Sequence, residues 1–220
     1  MKLGADAAGN VTGDTGLWQK VAGENQPEDV TAMIRTRSLR PIRASLAAAG
    51  AAALLACAGV AQAALPVGST APDFETRGAL AGKVFTLKLS DALKKGPVVL
   101  YFFPAAFTPG CTAEAHEFAE ATAAFEKAGA TVIGMSADPV DTLAKFSTEA
   151  CRDKFAVASA GPKIIQGYQV ALKTNNPAFD GKTDRTSYVI GKTGKIIYAY
   201  SALDYKDHVK NTLAAVQSLK

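Results

Sequence analysis

The feature that most constrains the fold is a pair of short, nearly unbroken apolar runs, Val98–Phe103 and Thr131–Ser136. Runs of this kind are typical of strands buried on both faces of a sheet, since a solvated face would bring in alternating polar residues. The segment between them has helical periodicity and predicts a helix over Cys111–Ala128, ended by Gly129. The positions that share one face of this helix are Ala115, Phe118, Thr122 and Phe125. The sequence therefore predicts a β-α-β unit.

The rest of residues 64–220 continues the alternation of strand and helix. The further predicted strands are Val84–Lys88, Phe155–Ala158 and a hairpin of Thr186–Ile190 with Lys195–Tyr200. The further predicted helices begin near Pro139 after an Asp138 cap, at Pro162, and at Asp204 or Tyr205, the last reaching Lys220. The segment Lys173–Thr183 is polar and irregular. This order predicts the α/β class and a thioredoxin-like fold, with a mixed central sheet and helices on both faces.

Composition narrows the classes of function. The chain is 48% apolar and carries 24 basic against 20 acidic residues, a net charge of +4. Residues 64–220 contain no cluster of Lys and Arg interleaved with aromatic residues, so we expect no nucleic-acid partner. Two His in the whole chain are too few for a His-rich metal site, so neither a metal nor another cofactor is expected.

The N-terminal region predicts export. Residues 33–63 combine four Arg, no acidic residue, an Ala- and Leu-rich run and a small-x-small cleavage site, Ala61-Gln62-Ala63, which together are typical of a secretory signal peptide. Residues 1–32 precede this complete signal and are expected to be a disordered extension, either non-native or upstream of the true start at Met33. The predicted location is the periplasm or cell envelope.

Two alternatives remain open for the same segment. The apolar run could be a transmembrane anchor, although its Ala-rich composition and the cleavage site favour a signal peptide. The stretch Leu54-Leu55-Ala56-Cys57 resembles a bacterial lipobox, in which Cys57 becomes a lipidated N-terminus. We expect contact with a membrane only if Cys57 is lipidated.

The chemistry of the domain concentrates at Cys111. A buried strand ends at Phe103, a turn rich in Pro and Gly follows, and Cys111 opens the next helix. The free N–H groups and the positive end of the helix dipole favour thiolate over thiol at such a position. Pro104 can shield this turn from water, and the Thr108 hydroxyl can accept from a substrate or donate to the sulfur. The alternative is a buried, inert thiol.

The spacing of Pro104, Thr108 and Cys111 resembles the active-site motif of peroxiredoxins. Thr108-Pro109-Gly110-Cys111-Thr112 and Ala71-Pro72-Asp73-Phe74 are similar to the bacterioferritin-comigratory, or Q-type, branch of that thiol-specific antioxidant and alkyl hydroperoxide reductase family. The resemblance implies that Cys111 attacks hydrogen peroxide or an organic hydroperoxide and becomes a sulfenic acid. It also implies a thioredoxin-like reductant and a monomer or homodimer.

The resemblance extends to an arginine and an acid. Arg185, just before the predicted strand Thr186–Ile190, matches the arginine of the family's active site, where a guanidinium stabilises the thiolate and the charge moving onto the leaving group. The alternative is a solvated Arg at a strand edge. Glu114, one turn into the Cys111 helix, matches an acid or amide that orients this arginine.

The resolving cysteine, the second thiol of the peroxiredoxin reaction, is not at the position where many Q-type members carry it. His116 stands five residues after Cys111, where those members have a resolving cysteine, and we expect it to be a solvated side chain. Cys151 is the other thiol of residues 64–220 and matches the resolving cysteine that some members carry in a later helix. Arg152 beside it could lower its pKa. The alternative is that Cys151 only packs in the core.

Two other classes of function stay open at this point. A thioredoxin-like thiol–disulfide oxidoreductase normally carries Cys-x-x-Cys, whereas Glu114 stands three residues after Cys111. A non-catalytic redox or binding module on the same fold would not need Cys111 for its function. Consumption of hydroperoxide in the presence of a reductant separates both from a peroxidase.

Overall fold

The computed structural model describes residues 64–219, which form a seven-stranded sheet flanked by helices. The strands are β1 (Glu75–Leu80), β2 (Lys83–Lys88), β3 (Val98–Phe102), β4 (Thr131–Ser136), β5 (Ala156–Ser159), β6 (Thr186–Ile190) and β7 (Ile196–Ser201). The helices are α1 (Leu89–Lys95), α2 (Pro109–Lys127), α3 (Val140–Glu149), α4 (Pro162–Gly167) and α5 (His208–Gln217), with a 3-10 turn at Pro177–Phe179.

The sheet is mixed, with the strand order β2-β1-β5-β4-β3-β6-β7. Strands β3, β4 and β5 run parallel, while β1 with β2, β1 with β5, β3 with β6 and β6 with β7 are antiparallel. Helices α2 and α3 connect the successive parallel strands, as such strands require a crossover. The predicted thioredoxin-like fold is confirmed.

The interior strand β3, between β4 and β6, contributes to both cores because successive side chains of a strand point to opposite faces. Val99, Tyr101 and Phe103 enter the apolar layer beneath α2, α3 and α5, together with Phe118 of α2 and Phe146 of α3. The opposite layer, beneath α1 and α4, receives Val98, Leu100 and Phe102 from the same strand. Every residue of β3 is therefore buried, as its apolar run predicts.

Two elements were missed by the sequence analysis, and several boundaries differ. Strand β1 is largely polar, buries only Gly78 and Ala79, and pairs with β5 over two residues, so it has no apolar alternation to detect. Helix α1 has only seven residues. Helix α2 begins two residues earlier than predicted, with Pro109 in its first turn, and α5 begins at His208 rather than Asp204 or Tyr205 and ends at Gln217.

The predicted helix cap at Asp138 is wrong. Helix α3 begins at Val140, Pro139 occupies its N-cap position, and no side chain caps it. The Asp138 carboxylate instead accepts a hydrogen bond from the Ala106 N–H at 2.7 Å and pairs with Lys182 Nζ at 3.0 Å. Asp138 therefore joins the loop after β3 to the loop before β6.

Within residues 64–219 no helix combines the length and the apolar composition that a bilayer span requires. The predicted segments 1–32 and 33–63, with Cys57, lie outside the residues that the structure describes.

The close approach of β4 to the Tyr101 ring makes Gly134 a sensitive position. A Cβ at residue 134 would lie 2.9 Å from ring atoms of Tyr101, which is buried and stacked on Phe118 at 4.2 Å. We expect Gly134→Ala to lower the free energy of unfolding by about 1–3 kcal/mol, because the ring must move within a packed core.

Gly167→Ala is the matched control, because its Cβ would meet Pro72 at an ordinary 3.5 Å. Urea denaturation of both variants gives the comparison. Equal stability of the two would contradict the proposed crowding at Tyr101.

Candidate active site

Cys111 lies in the first turn of α2, directly beyond the carboxyl end of β3. Pro109 and Gly110 begin the helix, and the Cys111 side chain is 2% exposed. The N–H groups of a first turn have no partner within the helix, and the positive end of the helix dipole lies there. The structure therefore places Cys111 at a strand–turn–helix junction, as the sequence predicts.

Sheet register brings Arg185 to this thiol. Strand β6 pairs antiparallel with β3 so that Thr186 faces Phe102, which places the preceding residue, Arg185, beside the loop that leads into α2. Arg185 Nη2 donates to Cys111 Sγ at 3.4 Å. The Arg185 side chain is buried rather than a solvated residue at a strand edge.

The Arg185 guanidinium is held by all three of its nitrogens. Its Nη1 forms a buried ion pair with Glu114 Oε2, and its Nε donates to the Leu203 carbonyl at 2.8 Å. With Nη2 on Cys111, the planar group is fixed between α2 and the β7–α5 connection. A guanidinium bound at three points has little freedom to turn away from the sulfur.

Glu114 is fully buried, one turn after Cys111 on α2. Burial raises the pKa of Glu114 to about 8, and the Arg185 charge opposes that rise. Among the described residues its Oε1 accepts no hydrogen bond, and His208 Nδ1 lies 3.9 Å from it. The structure brings Glu114 and Arg185 together, as the resemblance implies.

Thr108 and Pro104 lie on the loop that precedes α2. The Thr108 hydroxyl is exposed and donates to the Ala105 carbonyl at 3.0 Å, so its proton is already committed. The structure does not show the predicted alternative, donation to the sulfur, but it leaves the Thr108 oxygen free to accept. Pro104 is half-buried directly after β3. The adjacent Phe103 carbonyl accepts from the Thr183 hydroxyl at 2.6 Å.

Asp138 and Thr183 were missed as residues that shape the site. Asp138 fixes the Ala106 N–H of the β3–α2 loop and accepts from Ser136 Oγ at 2.9 Å. A signal for Asp138 was present: it follows the buried strand β4, and the carboxyl ends of the parallel strands β3 and β4 meet at one edge of the sheet.

Cys151 lies directly after α3, fully buried in the same apolar layer as Cys111. Both cysteines are free thiols. Burial raises the pKa of the Cys151 thiol, and the predicted lowering by Arg152 is wrong because the Arg152 guanidinium turns outward to Glu120 at 3.1 Å. In this conformation Cys151 is a packed core residue.

The remaining predicted positions fall outside this cluster. His116 is half-buried on α2 rather than fully solvated. In the part of the chain that the structure describes, no group of three or more His, Cys, Asp and Glu side chains could hold a metal ion.

A thioredoxin-like fold that presents a helix-terminal cysteine beside a buried arginine defines a thiol-based redox protein. A model of the AhpC/TSA family matches residues 67–199. Peroxiredoxin Bcp of Bacillus subtilis is 31% identical over 156 residues, covering 70% of this chain and 97% of the relative. Peroxiredoxin Q of Oryza sativa subsp. japonica, a chloroplastic protein, is 31% identical over 189 residues, covering 86% and 81%.

Solved structures agree with these relatives. Peroxidoxin BcpB from Mycobacterium tuberculosis has a TM-score of 0.62 at 30% identity and covers 71% of this chain and 99% of its own. The chain belongs to the AhpC/TSA family and is a peroxiredoxin, a thiol peroxidase. The two other classes of function considered from the sequence are set aside.

The comparisons correct the predicted location. Relatives of this branch are cytoplasmic or chloroplastic, so the prediction of an exported protein of the periplasm or cell envelope is wrong. That prediction rests on the composition of residues 33–63, and composition carries no information on where the relatives act.

The buried pair predicts a pH-dependent stability. We expect Arg185→Met to lower the free energy of unfolding by about 3–5 kcal/mol near pH 9.5, because ionised Glu114 has lost its buried cation there. Without Arg185 the pKa of Glu114 rises further, so the native state holds a proton that the unfolded chain releases above its ordinary value of 4.5. Below about pH 8 parent and variant both hold that proton and lose stability in parallel; above pH 8 the parent releases it and the variant does not, so the deficit of the variant grows above pH 8 and is smaller at pH 6.

Arg152→Met is the control, because its pair with Glu120 is exposed and contributes about 0–1 kcal/mol at either pH. Denaturant titrations at pH 6 and pH 9.5, on either side of the Glu114 pKa of about 8, measure both variants. If the loss of unfolding free energy in Arg185→Met does not grow with pH, the role given to the buried Glu114–Arg185 pair is contradicted.

Proposed function

We propose that Cys111 is the peroxidatic nucleophile of this peroxidase. The observation that carries the proposal is the 3.4 Å contact between Arg185 Nη2 and Cys111 Sγ in the first turn of α2. Helix N–H groups and a fixed guanidinium both stabilise a thiolate, and the thiolate is the form that attacks.

In the first step the Cys111 thiolate attacks the terminal oxygen of the hydroperoxide. An S–O bond forms, the O–O bond breaks, and the sulfur becomes a sulfenic acid while the leaving oxygen departs as hydroxide or alkoxide. That anion takes up a proton and leaves as water or alcohol. The sulfur is oxidised by two electrons, and the peroxide is reduced by the same two.

The surrounding groups have separate roles in this step. The Arg185 guanidinium faces the place where negative charge passes from sulfur to the leaving oxygen, and Glu114 keeps it aimed there. The Thr108 oxygen, whose proton is committed to Ala105, can accept from the hydroperoxide O–H. Half-buried Pro104 limits the approach of water from the side of β3.

The substrate range we propose is hydrogen peroxide together with organic hydroperoxides. Thr108 and Pro109 are exposed, so the approach to Cys111 starts at the surface. Phe107 stands next to Thr108 with 43% of its surface exposed and a ring contact to Phe146 at 5.2 Å. This apolar surface supports binding of an organic group on the hydroperoxide.

For the second step we propose that Cys151 resolves the sulfenic acid. Its sulfur bonds to the Cys111 sulfur, the hydroxyl leaves, and with the Cys151 proton it forms water. Because burial raises the Cys151 pKa, this step requires local opening of the first turn of α2 and of the turn after α3. Arg152 and Asp153 hold left-handed backbone conformations in that second turn, with φ of 51° and 59°, which lowers the cost of opening it.

A thioredoxin-like dithiol protein completes the proposed cycle. Its thiolate attacks the Cys111–Cys151 disulfide, a mixed disulfide forms, and its second thiol releases both cysteines in reduced form. The two electrons that reduced the peroxide thus come from the donor.

Cys111→Ser should abolish hydroperoxide consumption, and Arg185→Met should slow it about 100- to 1,000-fold through lost electrostatic stabilisation. The measurement is the rate of peroxide loss at fixed reductant, in a Cys57→Ser background that leaves two thiols. Arg152→Met is the matched control and should react at the parental rate. Full activity of Cys111→Ser would refute the assignment.

Cys151→Ser should leave the first turnover intact but accumulate sulfenic acid on Cys111, over-oxidise faster and lose recycling by a thioredoxin-like donor. Mass spectrometry after one equivalent of peroxide distinguishes a sulfenic acid from a disulfide, again with Cys57→Ser as the parent. A parent that shows only sulfenic acid, and a Cys151→Ser variant that cycles normally, would make this a one-cysteine enzyme.

A further inference from the structure

His208, the first residue of α5, is a fully buried polar side chain that the reaction described above does not use. Its Nε2 donates to the Ala202 carbonyl at 2.9 Å, and its Nδ1 lies 2.8 Å from Ser187 Oγ. The Tyr200 ring packs on the imidazole with centroids 4.7 Å apart. Both ring nitrogens are thus engaged, and the ring is held at a fixed angle.

The tautomer of His208 follows from these partners. A carbonyl oxygen can only accept, so Nε2 carries the proton, and Nδ1 accepts from the Ser187 hydroxyl. Burial lowers the pKa of His208 below its ordinary 6.5, although the hydrogen bond to Ala202 opposes this effect and the Arg185 charge adds to it, so the neutral imidazole predominates at pH 7. A neutral ring with this tautomer is a donor only toward Ala202.

The bond to Ala202 places the backbone that anchors Arg185. The Ala202 N–H donates to the Arg185 carbonyl at 3.1 Å, and the next residue, Leu203, offers the carbonyl that receives Arg185 Nε at 2.8 Å. Leu203 has an exposed side chain and lies outside β7, so the sheet does not fix it. The hydrogen bond from His208 therefore fixes the short Ala202–Leu203 segment, whose Leu203 carbonyl accepts from Arg185 Nε.

The Nδ1 side of the same ring faces the other anchor. His208 Nδ1 is 3.9 Å from Glu114 Oε1, too far for a hydrogen bond and without a proton to donate. Because Ser187 gives its proton to Nδ1, neither group donates to that oxygen. Among the described residues, Arg185 is consequently the hydrogen-bond donor to the Glu114 carboxylate.

We propose that His208 is a positioning residue for peroxide reduction: by fixing the Ala202–Leu203 carbonyls and withholding competing donors from Glu114, it keeps the Arg185 guanidinium on Cys111. The inference rests on the proposed function, in which Arg185 acts on the Cys111 thiolate and on the leaving oxygen. His208 touches neither the sulfur nor the substrate and acts through Arg185.

Two substitutions separate the roles of the ring nitrogens. His208→Asn keeps an acceptor near the Nδ1 position for Ser187 but removes the donor to Ala202, whereas His208→Gln keeps a donor near the Nε2 position. We expect His208→Asn to lower the second-order rate constant of Cys111 with hydrogen peroxide about 10-fold, since small misplacements of a catalytic group have effects of this order. His208→Gln should stay within about threefold of the parent, because a bond of this kind contributes that much.

The measurement pairs two reactions of Cys111 in the full chain carrying Cys57→Ser. Oxidation by peroxide is followed in competition with a haem peroxidase, and alkylation by iodoacetamide is followed by mass spectrometry. Alkylation needs the thiolate but has no O–O bond to break, so a misplaced Arg185 lowers the peroxide rate more than the alkylation rate. A lower ratio of the two rates is a signature that general loss of packing does not produce.

Thr212→Val is the matched control. Thr212 is buried on α5, and its hydroxyl donates to the His208 carbonyl at 2.7 Å and to the Val209 carbonyl at 3.1 Å, both within its own helix. It should lower the thermal midpoint and leave the ratio of rates unchanged. If Thr212→Val lowers that ratio as much as His208→Asn does, if His208→Asn keeps the parental ratio, or if His208→Gln is as slow as His208→Asn, the proposal is overturned.

A further variant applies if the His208 variants do not fold. Ser187→Ala keeps the imidazole but frees Nδ1, and the loss of one buried hydrogen bond predicts a peroxide rate about threefold lower; an unchanged rate would overturn the proposal. Failure of the proposed function is distinguishable, because Cys111 of the parent would then resist oxidation whatever residue stands at 208.

Discussion

The contact on which the rest of the site depends is the buried guanidinium of Arg185 between Glu114 and Cys111. It joins three parts of the chain that are distant in sequence: the first turns of α2, the residue before β6, and the connection from β7 to α5. Burying a cation is costly unless its hydrogen bonds are made, and here all three nitrogens are used. The ends of these elements must therefore meet with little error, and the antiparallel pairing of β3 with β6 provides that alignment.

The polar groups near the site form two separate sets at one end of an apolar sheet. One set is Arg185 with Glu114, Ser187 and His208, and the other joins Asp138 to Lys182, Ser136 and the Ala106 N–H. The first set fixes the guanidinium that faces the thiol, and the second fixes the loop that leads from β3 into α2. The strands beneath them are filled with apolar side chains on both faces, which gives both sets a rigid support.

Cys111 and Cys151 show how one apolar layer holds two thiols of different character. Cys111 is buried at a helix start, and its sulfur accepts a hydrogen bond from the Arg185 guanidinium. Cys151 is buried after a helix end, and burial raises its pKa while Arg152 turns away to Glu120. A cycle that uses both thiols alternates between this packed conformation and a locally opened one, and the left-handed turn at Arg152 and Asp153 is the part of the chain suited to open.

The sequence by itself determined the strand–turn–helix unit around Cys111, the order of most elements and the family, because apolar periodicity, Pro, Gly and motif spacing are local properties of the chain. It also indicated Arg185 and Glu114, but only through resemblance. The sequence did not predict strand β1 or helix α1, because β1 is mostly polar and α1 has only seven residues. Tertiary structure alone decided that Asp138 ties two loops instead of capping a helix, that Arg152 turns outward, and that His208 stands behind Glu114. Those outcomes depend on which strands are neighbours and on which partner a buried polar group can reach, and neither is encoded in the spacing of residues along the chain.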